Sequence, residues 1–479
     1  MKRLIVLCAV VLTAVLIVAM LFSTGCSCLI SPPQPYGPRL TGDGTGGAIA
    51  VYEDIKRGNQ HDFYVQKISP EGDMLWGDKG ILVGSGYKYW DSFFDLHIVS
   101  DGYGGAIVSW VVSPSRPESY ATYLSRVNAT GTTLWQEEVL AFDDMIMISD
   151  GAGGVIIASA YSDYGEGSRL FIKKIDSEGS FPWGETGVSL HTEDYSPHSL
   201  GLVSDGAEGA IVVWQESPEI TDRIFAQRID ADGGLPWGQG GVLLYTTPEE
   251  VYAEEPKVIS DGSGGAIAIW MQEPEGIIEE GSPEALLFDI YAQRVDALGK
   301  ALWADNGVPL GITKGGGACP SNTLVVSDGY GGAMVVWEDL RKELMSMYAQ
   351  KIDAEGNIKW QPGGEEVCYI KTNSSFWPRT AVSDGSGGAI IAWGYKEAKT
   401  NKRGLLIQRL DADGRTMWPD DGILLTERGT HAMAYDGYGG AIVAWGVGKS
   451  IFKSERSYIQ RISADGKLLW GEEGIRLNP

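Results

Sequence analysis

Beyond residue 30 the chain shows no apolar period near 3.6, so no helix is predicted there. What recurs is a short apolar run without alternation, such as residues 210–214 or 266–270, which reads as a strand buried on both faces. A shorter strand-like run precedes each one, for example residues 256–259. A run that alternates more strictly follows, for example residues 289–296. A fourth run is close to Leu-Trp-Gly-x-x-Gly-Val. Between the first and second runs stands Asp-Gly-x-Gly-Gly. There glycine supplies left-handed backbone and aspartate can bond local amides, so the string predicts a hairpin turn. Between the third and fourth runs the turn is typically Ala-Asp-Gly or Ala-Glu-Gly.

This four-strand unit recurs eight times. Its turn aspartates are Asp43, Asp101, Asp150, Asp205, Asp261, Asp328, Asp384 and Asp436, spaced by 49 to 67 residues. Nine residues later stands Trp110, Trp214, Trp270, Trp337, Trp393 or Trp445, with Tyr52 and Ser159 in repeats one and three. The fourth run carries Trp76, Trp135, Trp183, Trp237, Trp303, Trp360, Trp418 and Trp470. Repeats of this length and strand count predict an all-β, eight-bladed β-propeller over residues 40–479. Each sheet would lie between two neighbours, and the fourth-run tryptophans would fill the wedges.

The fourth-run string resembles the tryptophan-docking motif of quinoprotein-like propellers. Asp230, Gly233 and Trp237 fit that pattern, as do Asp411, Gly414 and Trp418, although the turn is one residue shorter and lacks its threonine. The resemblance implies eight blades. It covers enzymes that use pyrroloquinoline quinone and a lipid-anchored scaffold of outer-membrane assembly. The Ser-Asp-Gly-x-Gly-Gly string falls outside that pattern and resembles repeats of secreted bacterial proteins.

Residues 1–25 read as a signal sequence or membrane anchor: Met1-Lys2-Arg3, then an apolar run to Phe22. The ending Ser23-Thr24-Gly25-Cys26 resembles a bacterial lipoprotein signal, which implies lipidation of Cys26; Ser23 departs from the usual leucine. Residues 26–39 are proline-rich and predict a tether holding the body outside the cytoplasm, at the cell membrane or cell surface. Cys319 and Cys368 could pair there or stand free.

Of the 65 glycines, 23 sit in the Asp-Gly-x-Gly-Gly turns, so their abundance is not low complexity. The net charge of −25 argues against nucleic acid as a partner. No His- or Cys-rich metal spacing occurs, and the hairpin turn offers one carboxylate where calcium needs about six oxygens. No adjacent cysteine pair of the quinone enzymes is present, nor a Walker or dinucleotide motif; no cofactor or metal is expected. No catalytic residue is assigned.

Function is expected on the longer, varied loops between strands two and three and between blades. Candidate ligand contacts are Tyr87, Tyr89, Trp90, Phe93, Phe94 and Trp377. A candidate acidic loop holds Glu273, Glu275, Glu279, Glu280, Glu284 and Asp289. Glu53-Asp54 and Glu338-Asp339 could be read as acid–base pairs, or as an inherited structural element. The leading expectation is a monomeric, membrane-anchored, non-enzymatic binding or scaffold module for a protein or glycan. A polysaccharide-active hydrolase or lyase and an envelope-assembly scaffold lipoprotein are the rivals. If Trp237 fills a wedge, Trp237→Ala will lower unfolding stability by about 3–5 kcal/mol in denaturant titration; an unchanged midpoint would place it elsewhere.

Overall fold

The computed structural model describes residues 37–478 except 57–59, 89–95, 113–120, 141–144, 164–166, 192–196, 219, 273–287, 314–322, 340–345, 370–374, 397–402, 420, 427–429 and 448–455. It contains eight antiparallel sheets, each of four consecutive strands in the order first–second–third–fourth. The blades span residues 39–88, 96–140, 146–191, 198–246, 253–313, 324–369, 375–426 and 430–476. Blade 5 is representative, with strands Ala253–Ser260, Ala266–Gln272, Phe288–Val295 and Val308–Thr313. First strands of successive blades lie side by side, and that of blade 8 packs against that of blade 1. The chain is therefore one ring of eight blades around a central channel. Closure involves no strand exchange, because every sheet is completed by its own repeat.

The core sits in the seams between blades. Each hydrophobic cluster joins side chains of two adjacent blades, as where Trp270 and Val295 of blade 5 meet Val213 and Leu244 of blade 4. The eighth seam joins Ile442 and Trp470 to Ala50 and Tyr52. This explains the unbroken apolar second strands: residues 210–216, 266–272 and 333–339 are buried at every position. Both faces of such a strand meet a neighbouring sheet, so no position is left for solvent.

One edge of every seam carries the same clasp. The turn aspartate is buried, and its Oδ1 accepts the backbone N–H groups two and four residues on, at 2.7–2.9 Å. Its Oδ2 faces a third-strand cation of the same blade, arginine at 2.8–3.1 Å and lysine at 3.5–3.8 Å. That cation also reaches across the seam. Arg294 Nη1 donates to Ala354 O of blade 6 at 3.0 Å, and Lys351 Nζ donates to Gly387 O of blade 7 at 2.8 Å. The carboxylate is thus consumed by the hairpin and the seam, as the structural reading of the turn expects, and no metal-ligand cluster occurs among the described residues.

The fourth-strand tryptophan completes the clasp. Its ring lies against the glycine of the next blade's three–four turn. An added Cβ on Gly299 would sit 2.8 Å from Trp237, and on Gly72 it would sit 2.9 Å from Trp470. The same contact recurs at Gly131, Gly179, Gly233, Gly356, Gly414 and Gly466, all at positive φ. Seven of the indoles also donate to a carbonyl of that turn at 2.9–3.3 Å. At blade 6 the Trp360 Nε1 has no such bond. Glu208 replaces the usual glycine of the turn in blade 4 and still adopts φ 62°. Its backbone carbonyl accepts Lys174 Nζ of blade 3 at 2.9 Å, which helps hold the strained conformation.

These differences predict unequal seams. Trp303→Phe removes an indole bond as well as ring volume, whereas Trp360→Phe removes volume alone. Equilibrium unfolding should show Trp303→Phe about 1 kcal/mol more destabilising than Trp360→Phe, and equal losses would contradict the bonding pattern.

Candidate binding surface

The clasps lie on the face formed by the one–two and three–four turns. Every one–two connection there is five residues long. The opposite face carries the two–three connections, which range from 3 to 15 residues, and the connections between blades. All length variation along the ring is therefore concentrated on one side, and most of these longer connections lie outside the described residues.

Tyr89, Trp90, Phe93 and Phe94 lie outside the described residues. So do Glu273, Glu275, Glu279, Glu280, Glu284, Cys319 and Cys26. Tyr87 belongs to the outer strand of blade 1, its backbone opposite His61. The Trp377 backbone lies within the first strand of blade 7, opposite Gly394, and not in a loop. Asp289 likewise sits in the third strand of blade 5, opposite Gln272. Ligand-contact and acidic-loop residues thus attach to different blades.

The two Glu-Asp pairs are part of the wall. Neighbours along a strand point to opposite faces of the sheet, so the two carboxylates of one pair cannot flank one bond. Glu53 meets His61 Nδ1 within the seam, whereas Asp54 meets Lys79 at 3.8 Å. Glu338 and Asp339 are both buried in blade 6, two blades away from blade 1 around the ring. The structural-element reading of these pairs fits this placement.

A feature not singled out in the sequence is a pocket of about 150 Å³ on the wall of the channel, on the varied-face half. Arg39, Leu40, Leu96, His97, Ile98, Met147 and Ala432 line it, from the first strands of blades 1, 2, 3 and 8. Arg39 Nε donates to Leu96 O at 3.3 Å, which ties the start of blade 1 to blade 2. Small-molecule sites usually span 300–1,000 Å³, so this volume suits one side chain or sugar substituent. The signal was present in the chain: against a net charge of −25, the first strands hold Arg39, Lys257, Arg379, His97, His198 and His431 but only Glu254 and Glu255.

No protein-family model matches the chain, and no curated protein matches it. Solved structures similar to it are propeller-containing proteins. One is hydrazine synthase of Kuenenia stuttgartiensis, 12% identical over 80% of this chain and 98% of that one, with a TM-score of 0.39. Another is the β-propeller domain of the Trilobed protease of Pyrococcus furiosus, with an open velcro topology, 13% identical over 81% and 99%, TM-score 0.41. A third is an ulvan lyase, 10% identical over 80% and 96%, TM-score 0.43. The likeness to all three is confined to the scaffold.

Cys368 is a free thiol buried between blades 6 and 7, packed with Met347 and Trp393. Burial, reinforced by Glu366 and Glu338, pushes its pKa up to about 12. An ordinary thiol is about a quarter ionised at pH 8, whereas Cys368 stays protonated throughout the neutral range. Maleimide labelling at pH 8, read by peptide mass spectrometry, should leave Cys368 unmodified until denaturant is added. Native-state labelling at the rate of an exposed thiol would contradict its burial.

Proposed function

We propose that this chain is a membrane-anchored, extracytoplasmic β-propeller whose varied face binds a protein or glycan, without catalysing a reaction. The supporting observation is the contrast between the two faces. Eight five-residue turns and eight clasps make one face uniform, while connections of 3 to 15 residues make the other diverse. A ring held rigid in its seams can carry such loops without loss of stability, which is the arrangement binding surfaces use. The channel-wall pocket lies on the same side and supplies one shaped recess.

Lipidation of Cys26, a proline-rich tether at 26–39 and a monomeric body at 40–479 belong to the same proposal. The acidic segment 273–289, the longest two–three connection, is its best-defined loop and suits a cationic surface on the partner. A variant with residues 273–287 replaced by a short Gly-Ser linker should melt within a few degrees of the wild type. It should nevertheless lose at least tenfold in affinity for a ligand found by envelope pull-down or glycan array. Unchanged affinity would remove this loop from the binding surface. Soluble product released from a polysaccharide panel by the wild type would replace the binding reading with an enzymatic one.

A further inference from the structure

The direction of the first strand settles which face meets the anchor. Every first strand ends in the clasp-face turn, so it starts on the varied face, and Arg39 opens the first strand of blade 1. The tether from Cys26 therefore joins the ring on the varied face, beside the channel. Thirteen residue steps separate Cys26 from Arg39, and in extended proline-rich form they span about 40 Å.

Placing the clasp face on the bilayer requires the tether to run outward over the blade and down the rim. Four strands about 4.8 Å apart, with side chains beyond them, put the rim about 20 Å outside the first strand. Strands of seven to nine residues, such as Ala266–Gln272 and Ala48–Lys56, add about 25–30 Å of depth before the turns are counted. The route is about 50 Å long, more than the tether spans.

Resting on the Cys26 anchor and the binding surface proposed above, we infer that the varied face looks toward the membrane and the clasp face looks away. The ligand of the varied face is then a protein held in the same membrane, not one arriving from the medium. The bilayer itself does not fill the gap. A chain of net charge −25 is repelled by anionic lipid, which leaves the space for a membrane protein.

Energy transfer to a lipid-borne acceptor tests this directly. The full-length lipoprotein, with Cys28 and Cys319 replaced by serine, is reconstituted in vesicles containing a rhodamine-labelled phospholipid. A donor is attached at Glu249→Cys or Asp232→Cys in blade 4, and at Arg403→Cys or Asp413→Cys in blade 7. Comparing two faces within one blade cancels any tilt of the ring. The inference expects transfer about twofold higher from Glu249→Cys than from Asp232→Cys, and likewise from Arg403→Cys than from Asp413→Cys, given the depth of a blade. Equal or reversed transfer in both blades, with Cys26→Ser released from the vesicles, overturns the orientation alone. Cys26→Ser that remains vesicle-bound overturns the anchor reading and the orientation with it.

Discussion

The ring depends on the seam clasp. A propeller blade cannot bury its own two faces, so each sheet is stable only against its neighbours. At every seam a buried aspartate, a third-strand cation and a tryptophan resting on a glycine fix the distance and angle between adjacent sheets. A buried ion pair contributes little by itself once desolvation is counted. Here, however, the carboxylate also accepts two backbone amides, so its desolvation is offset inside the hairpin it organises. Removing one partner would leave the other charge buried, which makes the clasp a specificity device for the inter-blade angle as much as a source of stability.

Arginine and lysine build this clasp differently. At the five arginine seams a single carbonyl of the next blade accepts both the guanidinium and the indole, as Ala354 O does from Arg294 and Trp303. Lysine is a point donor and reaches the next blade's one–two turn instead, as Lys67 does to Gly104 O. The seam between blades 6 and 7 combines lysine, the longest ion-pair distance of 3.8 Å and an unbonded indole. The last seam has no covalent link between its blades. It is held by Arg461 and Trp470 on Pro70 O and by Tyr438 over blade 1, with the apolar contacts beneath them.

Because the clasps occupy one face, the chain's freedom to vary lies on the other. The buried carboxylates and the buried thiol follow the same logic of support. Glu53 is held by His61, and Cys368 fills the seam beside Trp393 with its proton firmly retained. Burial also raises the Tyr52 phenol above its ordinary range, reinforced by the nearby Asp54 charge, and the Tyr52 hydroxyl donates to Lys79 O at 2.7 Å. The tyrosine thus stands in for the second-strand tryptophan of other blades as a wedge with a satisfied polar tip.

Much of this architecture was legible in the chain. Strand count, blade count, the hairpin role of the aspartates and the wedge role of the fourth-strand tryptophans all follow from local patterns repeated eight times, and local chemistry is what a sequence displays. The partners of the clasp were not legible. Nothing in one repeat says that Arg294 bridges Asp261 to a carbonyl 60 residues away, or that Trp470 closes the ring on Pro70, 400 residues earlier. The pocket at Arg39 and His97 was hidden for the same reason: it is assembled from four first strands scattered between residues 39 and 432. The adjacent carboxylates show the converse. Side by side in sequence, they are sent to opposite sides of a sheet by the two-residue period of a strand. Sequence alone determined the repeating unit and its turns, because these are set by neighbouring residues. Only the closed ring decided which groups meet, because every seam joins residues about one repeat apart or, at the last seam, nearly the whole chain apart.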